Sequence, residues 1–368
     1  MHALPQTEIV HLSAQERASG LARRWQLRNT ASQDPLASRE WVEAALETLH
    51  PGAALYLIRV FDTKGRLAGI LPLVECLRDS TIRAEYPGAS TLREPVRLPL
   101  DREDAAARLI AASARLPVPV VLDRLWLKSP TSLPRGPHLR GLWLSPACRP
   151  SRHMTLKGTF GDFIAGLSSR RRNDYRRALR KAERIGPVST NTLLPENTRM
   201  LKTALTRAIG IEDRSWKGQQ GSSLARRPAL RAFFFDFLSR PAILPLVRLY
   251  FLRIGQQDAA MQIGLHTGDR LWMLKIGYDE QLRRVSPGML MMMEVLRHNL
   301  ESGTRGIEFL GSSEDWLSLW TREERTYASR LHYPLSLAGL RALGSDLGKH
   351  FLPGKQRARM RVHQDFAP

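Results

Sequence analysis

Three mostly apolar segments in the second half of the chain are separated by short polar turns, as antiparallel strands are. The segments cover residues 246–254, 259–267 and 270–279, and the turns lie near 255–258 and 267–269. Each segment is a run of apolar residues bounded by turn-forming residues, which is typical of a strand. The pattern therefore predicts a three-stranded antiparallel meander.

Apolar positions that recur every three or four residues predict helices on both sides of this meander. The predicted helices lie around 160–184, 200–209 and 226–240 before it, and begin near Pro287 and Ser313 after it. Two further strands are predicted at 306–310 and near 330–337.

The first third of the chain repeats part of this arrangement. A helix start at Ser38, a hairpin of residues 54–61 and 66–74, and a strand at 120–127 are predicted. The segments LYLIRV (55–60) and LYFLRI (249–254) share a pattern, and each precedes a polar turn and another apolar strand. We infer two copies of one α/β unit, 1–150 and 151–345, followed by a basic tail, 346–368.

Composition narrows the function classes. The chain has 368 residues, of which 43% are hydrophobic and 25% charged, the balance of a globular protein with a substantial core. Its 56 Lys and Arg residues against 35 Asp and Glu residues leave a net charge of +21. This charge favours an anionic partner such as a phosphorylated cofactor, a nucleic acid or an anionic membrane surface. Two cysteines exclude a disulfide scaffold and a cysteine-built zinc site, and no metal is predicted.

No targeting or membrane-spanning segment is recognisable in the sequence. The first residues lack the basic region followed by an apolar run that typifies a signal peptide. The most apolar window, 233–252, is interrupted by charged residues and prolines, whereas a spanning helix needs about 20 apolar residues. We expect a cytoplasmic protein whose excess of cations is compatible with peripheral contact at the inner face of the membrane.

The strongest chemical signal lies between the third strand of the meander and the helix that follows. Ser286 suits an N-cap, Pro287 suits the first helical position, and Gly288 lets a ligand approach the backbone. Free amides at a helix start bind anions, and Arg283 and Arg284 add positive charge for a diphosphate. The alternative is an ordinary cap with two solvated arginines. The candidate cofactor-binding residues are Arg283, Arg284, Val285, Ser286, Pro287, Gly288 and Met289.

The order of these elements resembles the acyl-CoA core of the GNAT superfamily of acyltransferases, in which an Arg-x-x-Gly-x-Gly-like loop links the antiparallel strands to a helix and a parallel strand. Arg283, Ser286 and Gly288 stand at the Arg, first Gly and second Gly positions, so Ser286 departs from the pattern. More narrowly, the chain is similar to the CelD/BcsL branch, named from cellulose-biosynthesis clusters and related to Fem-type transferases. The matching segments are 168–184, 215–218, 275–288 and 306–311.

The resemblance implies a mixed α/β fold of tandem GNAT-like domains, each with a mostly antiparallel central sheet flanked by helices, the first copy being degenerate. It also implies an N-acyltransferase that moves an acyl group from acyl-CoA (acetyl-CoA or longer) to an amine acceptor linked to envelope or polysaccharide metabolism. The acceptor would be a small molecule, a lipid amine or a sugar amine. In that fold the thioester enters where strands 4 and 5 splay apart, and the amine attacks directly with the help of a general base.

Three residues of the predicted sheet are candidates for this chemistry. Asp279 ends the strand before the loop and Glu308 lies on the strand after the helix. Parallel strands would bring both to one end of the sheet, where either could act as the base. The alternatives are a turn or cap aspartate and a structural ion pair with an arginine. Lys275 shares a face with Gly277 and Asp279, where it could orient an acyl or phosphate group or simply lie on a polar face.

Substrate-binding candidates lie on two further segments. Trp216 and Lys217 could line the acceptor pocket or form a helix end with a half-buried tryptophan. The predicted helix over 168–184 carries eight basic residues against two acidic ones, and Arg172 on it is the third candidate. Such a run suits the phosphates of an acceptor or a membrane, and a solvated face is the ordinary interpretation. Tyr175 is its only aromatic residue, which argues against nucleic acid as a partner.

Two other functions stay open from the sequence. A Fem-type transferase would use aminoacyl-tRNA as the donor, which the net charge of +21 permits. A non-catalytic adaptor could keep the fold and bind an anionic lipid or polymer, because a fold does not by itself establish an activity.

Overall fold

The computed structural model describes residues 6–27, 34–127 and 141–351, which form two mixed sheets flanked by helices. The strands are β1 (Thr7–Leu12), β2 (Leu55–Phe61), β3 (Leu67–Arg78), β4 (Thr81–Glu85), β5 (Val120–Leu125), β6 (Leu142–Leu144), β7 (Ser151–Thr155), β8 (Val188–Leu193), β9 (Val247–Ile254), β10 (Gln257–Thr267), β11 (Arg270–Tyr278), β12 (Gly306–Glu308), β13 (Glu324–Arg325) and β14 (Ala328–Tyr333). The helices are α1 (Arg17–Arg24), α2 (Arg39–Thr48), α3 (Ala89–Leu92), α4 (Ala105–Ser113), α5 (Phe160–Gly166), α6 (Ser169–Glu183), α7 (Thr198–Asp213), α8 (Trp216–Gln219), α9 (Pro228–Ser239), α10 (Pro287–Glu301) and α11 (Leu337–Phe351).

The two seven-stranded sheets repeat one topology. Their spatial orders are β1-β2-β3-β4-β5-β14-β6 and β8-β9-β10-β11-β12-β7-β13. In each sheet the first four strands pair antiparallel, the fifth is parallel to the fourth, and the sixth is antiparallel to the fifth. The segments 55–60 and 249–254 lie in β2 and β9, the second strand of each sheet. The prediction of a mixed α/β fold with two related units is confirmed.

A strand of the second unit completes the first sheet. β14, near the end of the second unit, pairs with β5 of the first, whereas β7, at the start of the second unit, pairs with β12. α11 then packs on β4 and β14, where Arg83 Nη1 lies 2.6 Å from Asp346 Oδ2. The predicted boundary at residue 150 falls in the coil before β7, so the first sheet alone of the two contains a strand from the other side of that boundary.

Helices of both units share one hydrophobic core. Trp41 on α2 makes edge-to-face contacts with Phe233 and Phe237 on α9, with ring centroids 4.9 and 5.0 Å apart. Arg240, just after α9, pairs with Glu43 on α2 at 2.7 Å. Aromatic pairs of this kind add to the stabilisation from burial alone. The shared core holds α9 against the first unit, so residues of both units can line one cleft.

Some elements differ from their predicted bounds. β12 is three residues long and stops at Glu308, and the helix predicted from Ser313 is a 3₁₀ turn over Asp315–Leu319. Of the predicted basic tail, residues 346–351 end α11 and residues 352–368 lie outside the described part of the chain. Within the described ranges, no helix combines the length and the apolar character needed to cross a bilayer.

Candidate functional site

β11 and β12 separate after a short parallel ladder. The ladder ends at Trp272 and Glu308, whereas β11 continues to Tyr278. After β12 the chain leaves the sheet through Leu310 and Gly311, whose φ angles are +54° and +50°. The two strands therefore diverge along the second half of β11, which agrees with the expected splaying of strands 4 and 5. We call the region between them the cleft.

A β-bulge in β11 lies beside this cleft. Ile263 of β10 is opposite Lys275, and Gly264 is opposite Met273, so Leu274 is the extra residue of β11. A bulge interrupts the ladder and re-aims side chains, and bulges are frequent next to active sites. Here the side chain of Lys275 reaches α9, with Nζ 4.9 Å from the ring centroid of Phe234.

The predicted anion-binding segment joins a 3₁₀ turn, 280–285, to α10. Met289 N and Leu290 N both donate to Ser286 O, at 3.0 and 3.2 Å. Pro287 has no N–H, so Gly288 N is the amide of the first turn that has no acceptor among the described residues. This amide lies at the positive end of a fifteen-residue helix and can donate to a phosphate oxygen.

The side chains of this segment leave its backbone accessible. Val285 and Pro287 are buried, Ser286 and Met289 are half-buried, and Arg283, Arg284 and Gly288 are exposed. A Cβ added to Gly288 would lie 3.4 Å from Cδ1 of Tyr278, so a larger side chain there would fill the space over this ring. Two exposed arginines beside a free amide give the segment the charge that an anionic ligand needs.

Ser286 does not act as the N-cap that the sequence predicts. Its φ and ψ are +53° and +55°, in the left-handed region, and its side chain makes no capping hydrogen bond. The carbonyl of Ser286, and not its hydroxyl, closes the first turn of α10. Glycine adopts this backbone region without strain, which explains why the resembled motif has a glycine at this position.

Two predicted site residues, Lys275 and Lys217, come together on one face of β11. Lys217 Nζ donates to Ile276 O at 2.7 Å and lies 3.3 Å from Glu212 Oε1. Gly277 permits this close packing, because a Cβ added there would lie 3.0 Å from Cα of Glu212. The C-terminal end of α7 and the short helix α8 therefore cover β11 where it borders the cleft.

The first unit contributes a carboxylate to the same cleft. Glu94 Oε2 accepts a hydrogen bond from Gly311 N at 2.8 Å, where the chain leaves β12. Burial raises the pKa of Glu94, and the positive charge of Lys275 is the largest opposing effect. Burial in turn lowers the pKa of Lys275, against the attraction of Glu94. Glu94 is thus held on the β12 side of the divergence, and its charge interacts with that of Lys275 on the β11 side.

Unusual backbone surrounds Glu94. Arg93, Arg124 and Leu310 have φ angles of +59°, +52° and +54°, which are uncommon outside glycine. The guanidinium of Arg124 donates to both Arg93 O and Gly311 O, and so links Arg93 and Arg124 to the residue that follows Leu310. Backbone strain of this kind concentrates at functional sites, where surrounding contacts maintain it.

The two carboxylates singled out in the sequence are engaged by neighbouring groups. Asp279 is fully buried, with Oδ2 2.6 Å from Arg214 Nε, and Oδ1 accepts a backbone N–H of the following turn. Glu308 is buried between Arg270 and Arg325, at 3.0 and 2.5 Å. These contacts match the alternatives of a cap aspartate and a structural ion pair.

The expectation that Asp279 and Glu308 meet at one end of the sheet is wrong. Trp272 is the residue opposite Glu308, and Asp279 is seven positions farther along the chain. At about 3.3 Å per residue this separation is roughly 23 Å. The reason is that β12 ends after three residues and never reaches the level of Asp279.

The remaining substrate-binding candidates have different surroundings. Arg172 Nη1 donates to Ala165 O at 3.0 Å and also to Leu167 O, so this side chain ties α5 to α6. Trp216 is half-buried beside the cleft residue Lys217, whose Nζ lies 5.8 Å from its ring centroid. Of these candidates, Lys217 is bound to β11 beside Lys275, whereas the contacts of Arg172 among the described residues are local to its own helix pair.

α6 presents a strongly basic face to solvent. Ala178 and Ala182 are its buried positions. Its exposed cations that form no ion pair with other described residues are Arg170, Arg176, Arg180, Lys181 and Arg184. α6 packs on α10 and on the 3₁₀ turn 280–285, so this face adjoins the anion-binding segment.

Sequence reasoning missed Glu94 and Glu212. Glu94 belongs to a segment rich in Pro and Arg in the first unit, and no motif links it to the loop of the second unit. Glu212 could have been found from its position on the predicted helix that carries Leu205 and Ile209. It lies next to the apolar face of that helix, and a carboxylate buried there needs a partner.

Comparison with known proteins supports the identity of the second unit. Residues 169–317 match the family described as Acetyltransferase (GNAT) domain. This range includes β11, the anion-binding segment, α10 and β12. This part of the chain is therefore similar to a GNAT-type acetyltransferase domain. No curated protein matches the chain.

The similarity to solved structures extends over most of the chain. The crystal structure of FemX is 12% identical, covers 94% of this chain and 99% of its own, and has a TM-score of 0.52. The L-PGS structure from Bacillus licheniformis is 12% identical over 84% of this chain and 97% of its own, with a TM-score of 0.47. A tandem GNAT protein from the clavulanic acid biosynthesis pathway is 15% identical over 89% and 97%, with a TM-score of 0.41. At these identities, the similarity to FemX concerns the fold.

Proposed function

We propose that the protein transfers an acyl group from an acyl-CoA to a primary amine by direct attack of the amine on the thioester. The single observation that carries this proposal is the divergence of β11 and β12, with a β-bulge on one side of the gap and the start of α10 at its end. We further propose, from the resemblance to the CelD/BcsL branch, that the acceptor amine belongs to envelope or polysaccharide metabolism.

The residues at the start of α10 fit a diphosphate. Gly288 N can donate one hydrogen bond, and the exposed guanidinium of Arg284 can supply charge-assisted bonds to the same group. Bound acyl-CoA would supply the activated thioester. Lys275 follows the bulge on β11 at the border of the cleft, where its positive charge would favour negative charge that develops on the thioester oxygen.

Calorimetric titration with CoA tests this proposal without knowledge of the acceptor. We expect saturable binding, about tenfold weaker affinity for Arg284→Ala because a charge-assisted contact is lost, and a larger loss for Gly288→Val because the side chain fills the space over Tyr278. Arg23→Ala, an exposed arginine on α1, is the matched control and should bind CoA like the wild type. Equal affinity in all four proteins would contradict the proposed cofactor segment.

The basic face of α6 supports a further part of the proposal, peripheral contact with an anionic membrane. Its exposed cations are unpaired within the described residues and adjoin the CoA segment. Flotation with anionic vesicles, compared with neutral ones, tests this contact. Flotation without CoA binding would favour the adaptor alternative, and retained tRNA after purification at moderate salt would favour an aminoacyl-tRNA donor.

A further inference from the structure

We propose that Glu94 is the general base of this reaction, so that the first unit supplies a catalytic residue to the second. The inference rests on the proposed acyl transfer and names the group that receives the acceptor proton. It starts from the position of Glu94, whose Oε2 is held by Gly311 N at the point where the chain turns away from β12. That point borders the gap into which the thioester is proposed to enter.

The carboxylates near β11 and β12 differ in how many of their oxygens are already hydrogen-bonded or ion-paired. Asp279 uses both oxygens, toward Arg214 and toward the backbone of the next turn, and Glu308 uses both oxygens toward arginines. Glu94 uses Oε2 for Gly311, and its Oε1 has no hydrogen bond to another described residue. Of these three groups, Glu94 has the oxygen that can accept a proton from a ligand in the cleft.

The charged groups around Glu94 favour its action as a general base. Lys275 on β11, Arg124 on β5 and Lys217 on α8 all act on it electrostatically. Burial raises the pKa of Glu94 despite these cations, which makes the carboxylate a stronger proton acceptor than an exposed one. The positive charge of Lys275 also disfavours a protonated amine in the cleft, so a bound acceptor is biased toward the form that can attack.

The acceptor amine, the thioester and Glu94 account for every bond and proton of the step. The nitrogen lone pair of the amine attacks the carbonyl carbon, the C–N bond forms, and the C–S bond breaks with its electron pair leaving on the thiolate of CoA. The proton that the nitrogen loses goes to Glu94 and is then returned to the thiolate or to water. The products are an amide and free CoA thiol.

Thiol release from acetyl-CoA with hydroxylamine as the acceptor tests this role, because such a small nucleophile needs no shaped pocket. In Glu94→Gln the amide oxygen can still accept from Gly311 N, so the fold and CoA affinity should persist. The rate is expressed per unprotonated hydroxylamine, because this nucleophile itself becomes protonated at mildly acidic pH. We expect this rate to fall about 10²–10⁴-fold and the acid limb of its pH profile to disappear. The matched control is Glu85→Gln, a buried carboxylate of the same unit that accepts from Ser90 Oγ, with wild-type turnover expected.

Each outcome of these measurements bears either on the base assignment or on the proposed function. Turnover of Glu94→Gln within threefold of the wild type, or an unchanged acid limb, overturns the base assignment. Wild-type protein that binds CoA but does not accelerate aminolysis by hydroxylamine also overturns it, because the cleft then activates no amine. Failure of the wild type to bind CoA defeats the proposed function itself. If Glu94→Gln unfolds, Glu94→Asp replaces it in the test. This variant keeps a carboxylate, shortened by one methylene, so it should be slower but retain the acid limb. A profile without that limb overturns the assignment.

Discussion

Buried carboxylates in the second sheet and at its border carry different roles according to the partners that surround them. A carboxylate with both oxygens bonded to cations or backbone amides has no oxygen left for a ligand and contributes to the stability of the fold. Asp279 and Glu308 are of this kind. Glu94 has one oxygen free within the described residues and a pKa raised by burial, which are the properties of a proton acceptor.

We predict that Asp279→Asn destabilises the protein without removing activity. The substitution keeps the oxygen that accepts the backbone N–H but loses the charge opposite Arg214, so the free energy of unfolding should fall by about 1–3 kcal/mol. Urea denaturation measures this change, and turnover with hydroxylamine should stay within a few fold. The control is Asp174→Asn, which removes an exposed pair with Arg177 and should cost less than about 1 kcal/mol. A hundredfold loss of turnover with unchanged stability would instead make Asp279 the base.

Part of the site is predictable from single residues. Arg284, Gly288 and Lys275 stand out because a helix start with glycine and arginine, or a lysine within an apolar strand, departs from the local pattern. The cap function of Ser286 was predicted wrongly because the backbone turns left-handed there, which a serine signals poorly. No sequence pattern indicated Glu94, since its partners come from the other unit and only the folded chain brings them together.

At the scale of elements, lengths and registers decide the geometry of the cleft. The bulge at Leu274 redirects β11, and the three-residue β12 leaves the second half of β11 without a parallel neighbour. Neither feature is visible in hydrophobic periodicity, because a bulge adds one residue without changing the apolar character of a strand. The helix starts at Ser38 and Pro287 were predictable, because both depend on local capping preferences.

The junction between α2 and α3 gives a prediction for pH dependence. His50 Nε2 accepts a hydrogen bond from Gly88 N at 3.0 Å, and Nδ1 lies 3.5 Å from Cys76 Sγ. Burial, together with the charge of Arg17, lowers the pKa of His50 to about 4. The unfolded chain therefore binds this proton more readily, and stability that is present above about pH 6.5 is lost as the pH falls toward 4.

We expect this effect to reach up to about 2 kcal/mol at pH 5. Thermal unfolding of the wild type and of His50→Gln, recorded between pH 8 and pH 4.5, measures it. The glutamine can accept from Gly88 N but does not titrate, so its stability should fall less over this interval. Parallel curves for the two proteins would show that His50 does not contribute to the pH dependence.

At the scale of the whole molecule, β14 links the two units. It lies between β5 and β6, so the first sheet is not complete without residues of the second unit. The duplication was predictable from the similarity of 55–60 and 249–254. The pairing of β14 with β5 was not, because strand pairing between distant segments leaves no periodic trace.

We predict one cooperative unfolding transition for the full chain and none for a chain that ends at residue 325. The shorter chain lacks β14 and α11, exposes the edge of β5, and leaves the buried guanidinium of Arg83 without Asp346. Loss of the Arg83–Asp346 pair, together with the apolar surface that β14 and α11 bury, removes a large share of the roughly 5–15 kcal/mol that stabilises a typical protein. Scanning calorimetry compares the two proteins. Two separate transitions in the full chain, or a cooperative transition in the shorter one, would contradict the interlocked arrangement.

The central claim is that CoA binds with its diphosphate at the start of α10 and its thiol end between the diverging strands. A crystal structure of the protein with CoA tests this most directly. We predict a phosphate oxygen within hydrogen-bonding distance of Gly288 N, the guanidinium of Arg284 beside it, and the sulfur in the cleft bordered by Lys275 and Glu94. CoA bound at another surface, or a cleft filled by protein side chains at saturating CoA, would contradict the assignment of an acyltransferase.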